Sequence, residues 1–250
     1  MRRFFCPSFP DRGSVCLPDE EARHLVRVLR ASEGDEIQLM DGKGRLATAN
    51  VSQISGSRTT PRVTVDIGSY ENIFLGSNKI CLYVACPRTK QIELILRQAT
   101  ELGVYEIHPI VTEFTVSRPD KNADKWQNVL IEAMKQSGNP FLPKLFPVTS
   151  FDKALSTDAP DFGFYGAVPT DEDKSSIKVV ETDISLHRVA IWVGPEGGFS
   201  AGELEALRTK HVDFDNGLSQ RCYQPMVIGH HILRIETAVT ASIATVINSC

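Results

Sequence analysis

Surplus positive charge is missing from this chain: 27 Lys and Arg stand against 31 Asp and Glu, a net charge of -4. That excludes a protein that coats nucleic acid nonspecifically, because such binding is driven by neutralising phosphates. Paired cysteines are missing too. Cys6, Cys16, Cys81, Cys86, Cys222 and Cys250 form no CxxC pair and have no zinc-like spacing with histidine. They read as reduced cysteines, Cys81 and Cys86 as core, and no metal site is expected. No apolar run approaches the length of a membrane span. The start, Met1-Arg2-Arg3-Phe4-Phe5-Cys6-Pro7, lacks the apolar stretch of a signal peptide. A soluble cytoplasmic protein with no membrane partner is expected.

What is present is an ordinary globular composition, 42% hydrophobic and 23% charged, in a length that allows one large domain or two modest ones. The charge is uneven. Residues 1–72 hold ten basic and ten acidic side chains, so the deficit falls on residues 73–250. Any nucleic-acid contact must therefore use local patches.

Two regimes follow one another. After a possible first strand, Pro18-Asp19-Glu20-Glu21 reads as a helix start, with acids where the dipole favours them. Arg23, Arg27 and Arg30 then recur at i, i+4 and i+7, which predicts one shared helix face, with Leu25, Val28 and Leu29 turned toward a core. Short alternating segments follow, at Glu36–Met40, Arg45–Ser52 and Arg62–Ile67, with a hairpin signal at Asp41-Gly42-Lys43-Gly44. A small β-barrel with one helix fits residues 1–70, and Gly68–Asn78 reads as a linker.

From Lys79 the pattern changes. Ile80–Ala85 is near-continuously apolar, as a buried parallel strand is. Thr89–Leu102 is an amphipathic helix ended by Gly103, Val104–Val111 the next strand, and Ala123–Ser137 the next helix. Phe146–Thr149 and Asp161–Val168 predict further strands around a short helix at Phe151–Leu155, and Pro169–Ile184 a surface excursion. A strand at His187–Val193 precedes a helix from Ser200, where Glu203 gives capping-box spacing. The last helix is predicted from Leu233 to Ile247, with an apolar stripe of Ala238, Ile243, Ala244 and Ile247. The order indicates an α/β sheet.

Two stretches stand out. Ala190–Ser200 runs from an apolar strand through Gly194-Pro195-Glu196-Gly197-Gly198 into a helix, and Met226–Ala238 does the same through Gly229. Two such corners in one α/β region would face each other across a cleft. The glycine loop is followed by no Gly-Lys-Ser/Thr and is not a GxGxxG fingerprint, so phosphate cradling is disfavoured. A nucleoside-type ligand held by backbone amides and carbonyls is possible. Arg234, Glu236 and Thr237 stand at the head of the last helix, where an arginine works against the dipole. His230 and His231 are adjacent and cannot share a helix face.

These residues resemble the RsmE family of RNA methyltransferases. The likeness lies in Gly194–Gly198 and in Ile228-Gly229…Ile232-Leu233-Arg234…Glu236-Thr237-Ala238. It extends to Ala99–Val104, Glu132-Ala133…Gln136-Ser137-Gly138 and His24-Leu25…Val28-Leu29-Arg30, and keeps the family's order. The resemblance implies a SPOUT-type α/β domain at residues 73–250 with a C-terminal trefoil knot at about 190–250, a rare exception to the unknotted rule. A PUA-like β-barrel at residues 1–72 would precede it. It implies a homodimer that transfers a methyl group from S-adenosylmethionine to N3 of a uridine in ribosomal RNA of the small subunit.

On that likeness the cofactor would be held by Val193, Gly194, Pro195, Glu196, Gly197 and Gly198 on one corner. Met226, Val227, Ile228, Gly229, Ile232, Leu233 and Thr237 would hold it on the other. Arg234 and Glu236 would carry the chemistry, and Arg23, Arg27, Arg30 and Arg88 would contact RNA. The chain departs from the family's usual residues at Gln98, Phe114, Asn139, His231 and Ile235. Two alternatives stay open at this point: a related enzyme acting on another RNA nucleotide, and a non-catalytic RNA-binding assembly protein that keeps the pocket.

Overall fold

The computed structural model describes residues 1–76, 79–116, 123–157, 160, 162–167, 188–213, 219–221 and 223–248. They form two compact units: Met1–Leu75 with Ile131–Leu142, and Gly76–Leu130 with Pro143–Cys250.

The first unit is built on a five-stranded sheet of order β1-β3-β4-β5-β2. Its strands are β1 (Arg2–Phe5), β2 (Gly13–Cys16), β3 (Glu36–Met40), β4 (Arg45–Gly56) and β5 (Pro61–Asn72). β1 joins β3 in parallel and the other neighbours are antiparallel. Strict alternation sends Ile37 and Leu39, Ala47, Ala49 and Val51, and Val63 and Val65 into one core with Phe4 and Leu25. The segment Ile131–Leu142 joins this unit through named contacts. Arg3 donates to the carbonyls of Lys135 and Gln136 at 3.1 and 3.2 Å, filling acceptors that a helix leaves open at its C-terminus. Lys135 meets the buried Glu21 at 2.7 Å.

The arginine row is where the structure departs from the sequence pattern. α1 (Asp19–Arg23) is short, and His24–Val28 winds as a π turn in which Leu29 N–H reaches the His24 carbonyl at 3.2 Å. The wider turn shifts the helical phase. Leu25 is fully buried, but Val28 is 64% exposed rather than core. Arg23 folds back onto the Asp19 carbonyl, and Arg30 lies beyond the turn with φ +51°. Arg23, Arg27 and Arg30 are all exposed but do not share one α-helical face.

The second unit is a parallel sheet of order β14-β10-β11-β6-β7-β8, with β9 also on β7. Its strands are β6 (Lys79–Ala85), β7 (Glu106–Val111), β8 (Lys144–Leu145), β9 (Thr149–Ser150), β10 (Phe162–Gly166), β11 (Arg188–Val193) and β14 (Tyr223–Met226). The small pair β12 (His211–Asp213) and β13 (Ser219–Arg221) is separate. The apolar runs in β6 and β11 are buried on both faces. The single strand expected at Phe146–Thr149 is instead the two-residue strands β8 and β9, separated by Pro147, which has no N–H to give to a ladder. Asp161, Val168 and His187 of the strands expected at Asp161–Val168 and His187–Val193, the excursion at Pro169–Ile184, Cys222 and Cys250 lie outside the described residues.

Helices α2 (Thr89–Glu101), α3 (Ala123–Ser137), α4 (Phe151–Ser156), α5 (Ala201–Arg208) and α6 (Ile235–Ile247) complete the fold. α2 buries Ile92, Ile95, Leu96 and Ala99 as their spacing predicts. α6 packs on α2 and β11 through Ile235, Val239, Ser242, Ile243 and Val246. The stripe expected there is therefore rotated: Ile247 is 41% exposed, and Ala238 and Ala244 are only half-buried.

Candidate functional site

Buried β11 delivers the chain into the Gly194–Gly198 loop at the carboxyl edge of the sheet. The loop is tight. Gly198 N–H donates to the Pro195 carbonyl at 2.8 Å, and Gly198 has φ +73°, a conformation that suits glycine. A Cβ on Gly194 would lie 3.1 Å from the Gly198 carbonyl carbon and 3.2 Å from Phe199 N, so a side chain here would press on the loop's own backbone.

The loop exit is fixed by a full capping box between Ser200 and Glu203 at the start of α5. The Glu203 carboxylate does a second job. One oxygen accepts from Ser200 N–H and the other from Glu113 N–H, each at 2.9 Å. This ties the glycine loop to the turn after β7. In that turn Phe114 lies against Gly197, where an added Cβ would be 3.4 Å from Phe114 Cβ.

The facing corner begins at β14, which pairs with β10 so that Met226 lies opposite Gly166. Ala167 N–H bonds to the Met226 carbonyl at 3.0 Å. The chain then turns through Gly229, φ +70°, and enters α6 with Arg234 as its N-cap residue. The two corners enclose one cavity of about 100 Å³.

Val193, Gly194, Pro195, Glu196 and Gly198 line it from one side, and Met226, Ile228, Ile232 and Leu233 from the other. Gly197, Val227, Gly229 and Thr237 are not in the lining. Sequence reasoning did not assign Gly166, Ala167, His231, Ile235, Ala238 and Ser242, which complete it. Gly166 and Ala167 arrive through β10, whose place between β14 and β11 no local pattern reveals.

Arg234 and Glu236 are not among the lining residues, although Leu233 and Ile235, on either side of Arg234, are. The Arg234 side chain is exposed and makes no hydrogen bond or ion pair with the described residues. Glu236 is half-buried, and its Oε2 is enclosed without a hydrogen-bond partner. The two form no ion pair with each other. Arg88 is exposed as the N-cap residue of α2. Among the described residues no group of three His, Cys, Asp or Glu could hold a metal ion, and no helix is long and apolar enough to cross a membrane.

Comparison with known proteins bears on this geometry. A family model described as an RNA methyltransferase domain matches residues 76–247, and one described as an RNA methyltransferase PUA domain matches residues 17–58. Ribosomal RNA small subunit methyltransferase E of Synechocystis is 26% identical over 236 residues, 94% of this chain and 73% of that protein. Ribosomal RNA small subunit methyltransferase E 2 of Borreliella burgdorferi is 29% identical over 226 residues, 88% of this chain and 85% of that one. The crystal structure of a ribosomal RNA small subunit methyltransferase E from Neisseria gonorrhoeae bound to S-adenosyl methionine superposes with a TM-score of 0.81 at 27% identity, covering 99% of this chain and 97% of that one. The resemblance read from the sequence is thus the one these relatives carry. With its larger unit matched over residues 76–247, the chain belongs to the RNA methyltransferase family.

Proposed function

We propose that this protein methylates N3 of a uridine in ribosomal RNA of the small ribosomal subunit, using S-adenosylmethionine. The observation that carries this reading is the cavity enclosed by Gly194–Gly198 and Met226–Leu233 at the carboxyl edge of the parallel sheet. Its features suit the cofactor. Gly194 and Gly198 bring backbone to one wall, while Met226, Ile228 and Leu233 offer apolar walls. The Neisseria relative binds S-adenosyl methionine with the same overall fold.

When bound, S-adenosylmethionine supplies a methyl group on a positively charged sulfur. The chain's own residues then have three tasks. The glycine loop, pinned by Glu203 to the turn after β7, keeps one wall in place. Gly197, Val227, Gly229 and Thr237 extend the cofactor contacts around that cavity. Arg234 stabilises the negative charge that builds on the uracil as N3 gives up its proton, because alignment and electrostatics are what such a transfer demands. Glu236 assists from the first turn of α6, by orienting Arg234 once RNA is bound or by helping the proton away.

Residues 1–72 are the PUA-like RNA-binding domain in this reading, and 73–250 the SPOUT domain with its knot at about 190–250. The protein acts as a cytoplasmic homodimer. Arg23, Arg27, Arg30 and Arg88 contact RNA phosphates. Exposure of all four supports this, as does the φ of +51° at Arg30, which a non-glycine residue rarely adopts without a reason. Changing Arg23, Arg27 and Arg30 together to Gln is expected to weaken RNA binding and to lower the slope of log affinity against log salt by about 2 to 3. Identical binding across a salt series would remove these residues from the interface.

The test of the whole reading is mass mapping of methylated nucleotides in ribosomal RNA from cells with and without this protein. Loss of one methyl from a small-subunit uridine is expected. An unchanged map would sink the proposal, and loss at another nucleotide would redirect it.

A further inference from the structure

The amino ends of the parallel strands enclose a second cavity, larger than the one at the carboxyl edge. It measures about 510 Å³, within the range of small-molecule sites and well beyond ordinary packing gaps. Strand register explains how it is built. Arg188 pairs with Lys79, and Glu106 with both Cys81 and Lys144, so the first residues of β6, β7, β8 and β11 bring their charges together. Lys153 and Ala154 on α4 close one side.

An aromatic ladder crosses the sheet here. Tyr83 stacks on His108 with ring centroids 4.4 Å apart, and His108 on Phe146 at 4.0 Å. Among the described residues the lining holds four cationic side chains, Lys79, Lys144, Lys153 and Arg188, and one carboxylate, that of Glu106. That carboxylate is already engaged, by Arg188 at 2.8 Å and His108 at 3.2 Å. Burial lowers the His108 pKa, so the imidazole is neutral at pH 7 and Glu106 relies on Arg188 for its countercharge. None of the three lysines has a carboxylate partner among the described residues. Lys144 Nζ instead lies 4.3 Å from the centre of the Phe146 ring, and Lys79 Nζ 4.9 Å from that of Tyr105.

Tyr83 adds a second observation. It lines the cavity and is only 1% exposed, yet its hydroxyl makes no hydrogen bond with any described residue. Burial raises its pKa, so it stays an O–H donor. The hydroxyl is not among the enclosed partnerless polar atoms, so it opens on the cavity, where a ligand oxygen can accept from it. In a chain of net charge -4, a cavity with surplus cations, an idle O–H donor and walls of Tyr105, Phe146 and Val148 selects an anion with a flat apolar body.

We propose that this cavity is a second ligand site, for a phosphate ester that carries a planar ring, of nucleoside monophosphate size. The ligand is either a free mononucleotide or one nucleotide of a single-stranded RNA. Lys79, Lys144 and Lys153 hold the phosphate, and Tyr83 donates to a ring or sugar oxygen. The site is separate from the methyl-transfer cavity and its test does not use that activity.

Calorimetric titration of the full chain with uridine 5′-monophosphate, uridine, inorganic phosphate and a short oligouridylate tests it. A uridylate ligand is expected to bind at least about tenfold more tightly than phosphate or uridine alone. Equal affinity for the mononucleotide and the oligomer marks the free mononucleotide as the source, and binding of the oligomer alone marks RNA. The paired change Lys79→Ala and Lys144→Ala should weaken that binding by about tenfold or more while S-adenosylhomocysteine still binds, which shows the variant is folded. Tyr83→Phe, which keeps the ring, should weaken it by a few fold. Three results would overturn the proposal: no saturable binding of either uridylate ligand, full retention of binding in the lysine variant, or displacement of the ligand by S-adenosylhomocysteine.

Discussion

Arg234→Ala is expected to slow methyl transfer by about 100-fold while S-adenosylmethionine affinity changes by less than about threefold. The expectation rests on where the residue stands. It is the N-cap residue of α6, between Leu233 and Ile235, which both line the cofactor cavity. A guanidinium at a helix N-terminus opposes the dipole, so helix stability does not account for it. Nor does packing, because the side chain is exposed and forms no bond with the described residues. What remains is a cation beside the cavity, free to meet the anion that develops on the target base. Removing one such donor from a reacting anion typically costs 10² to 10³ in rate. Arg234→Lys should recover part of the loss, since it restores the charge without the planar fork. The measurement is single-turnover methyl transfer beside equilibrium cofactor binding. Transfer near the wild-type rate would take Arg234 out of the chemistry, and a parallel collapse of cofactor binding would make it a cofactor residue instead.

Glu236→Gln belongs in the same measurement. Its buried Oε2 has no partner, and it is not paired with Arg234 in the chain alone. An orienting role would need the two to meet when RNA arrives.

How much of this was legible beforehand depended on whether a feature is local. The glycine corner, the Ser200–Glu203 capping box and the apolar strand β6 are written in consecutive residues, and each has its cause within a few positions. Features that depend on distant partners were not legible. The π turn at His24–Val28 undid the arginine face because helical spacing assumes a constant turn. The apolar stripe of α6 was misplaced because a helix rich in Ala, Val and Ile has no polar face sharp enough to orient it until α2 and β11 are in place. Gly166 and Ala167 enter the cofactor cavity only because β10 lies between β14 and β11. The second oxygen of Glu203 reaches Glu113 across 90 residues, a link no capping rule contains. The second cavity is the extreme case. Lys79, Glu106, Lys144 and Arg188 are unremarkable singly and acquire meaning only from strand register.

Lys135→Met is expected to lower the unfolding free energy by about 3 to 5 kcal/mol, the usual result of stranding a buried charge. Lys135 Nζ and Glu21 Oε1 are 2.7 Å apart with both side chains only 7% exposed. Glu132 also reaches Lys135, at 2.6 Å, but is 57% exposed, so water can serve it when the lysine is gone. Glu21 has no such recourse, and its Oε2 already lacks a partner. The two ends of the pair respond differently to their site. Burial pushes the Glu21 carboxyl up in spite of Lys135, whereas Glu132 and Glu21 together hold Lys135 charged against the effect of burial. The short contact is that of a charge-assisted hydrogen bond, and we take the pair as ionised at pH 7.

Without Lys135 the Glu21 carboxyl rises further. A carboxyl whose folded pKa lies above its unfolded value of 4.5 contributes stability below that value and loses it as pH climbs through the folded pKa. The Lys135→Met defect should therefore shrink as pH falls and Glu21 takes up a proton, and be larger at pH 7.5 than at pH 5. Glu21→Gln in the Lys135→Met background removes the stranded charge and should recover much of the loss, so the two changes together cost less than their sum. Urea unfolding of the four proteins at pH 5 and pH 7.5 measures all of this. Additive changes with no dependence on pH would mean that the pair is not a buried ion pair. Coupling that grows with pH would identify Glu21 and Lys135 as an electrostatic fastening between Ile131–Leu142 and α1, in a segment that Arg3 already holds by its terminal carbonyls.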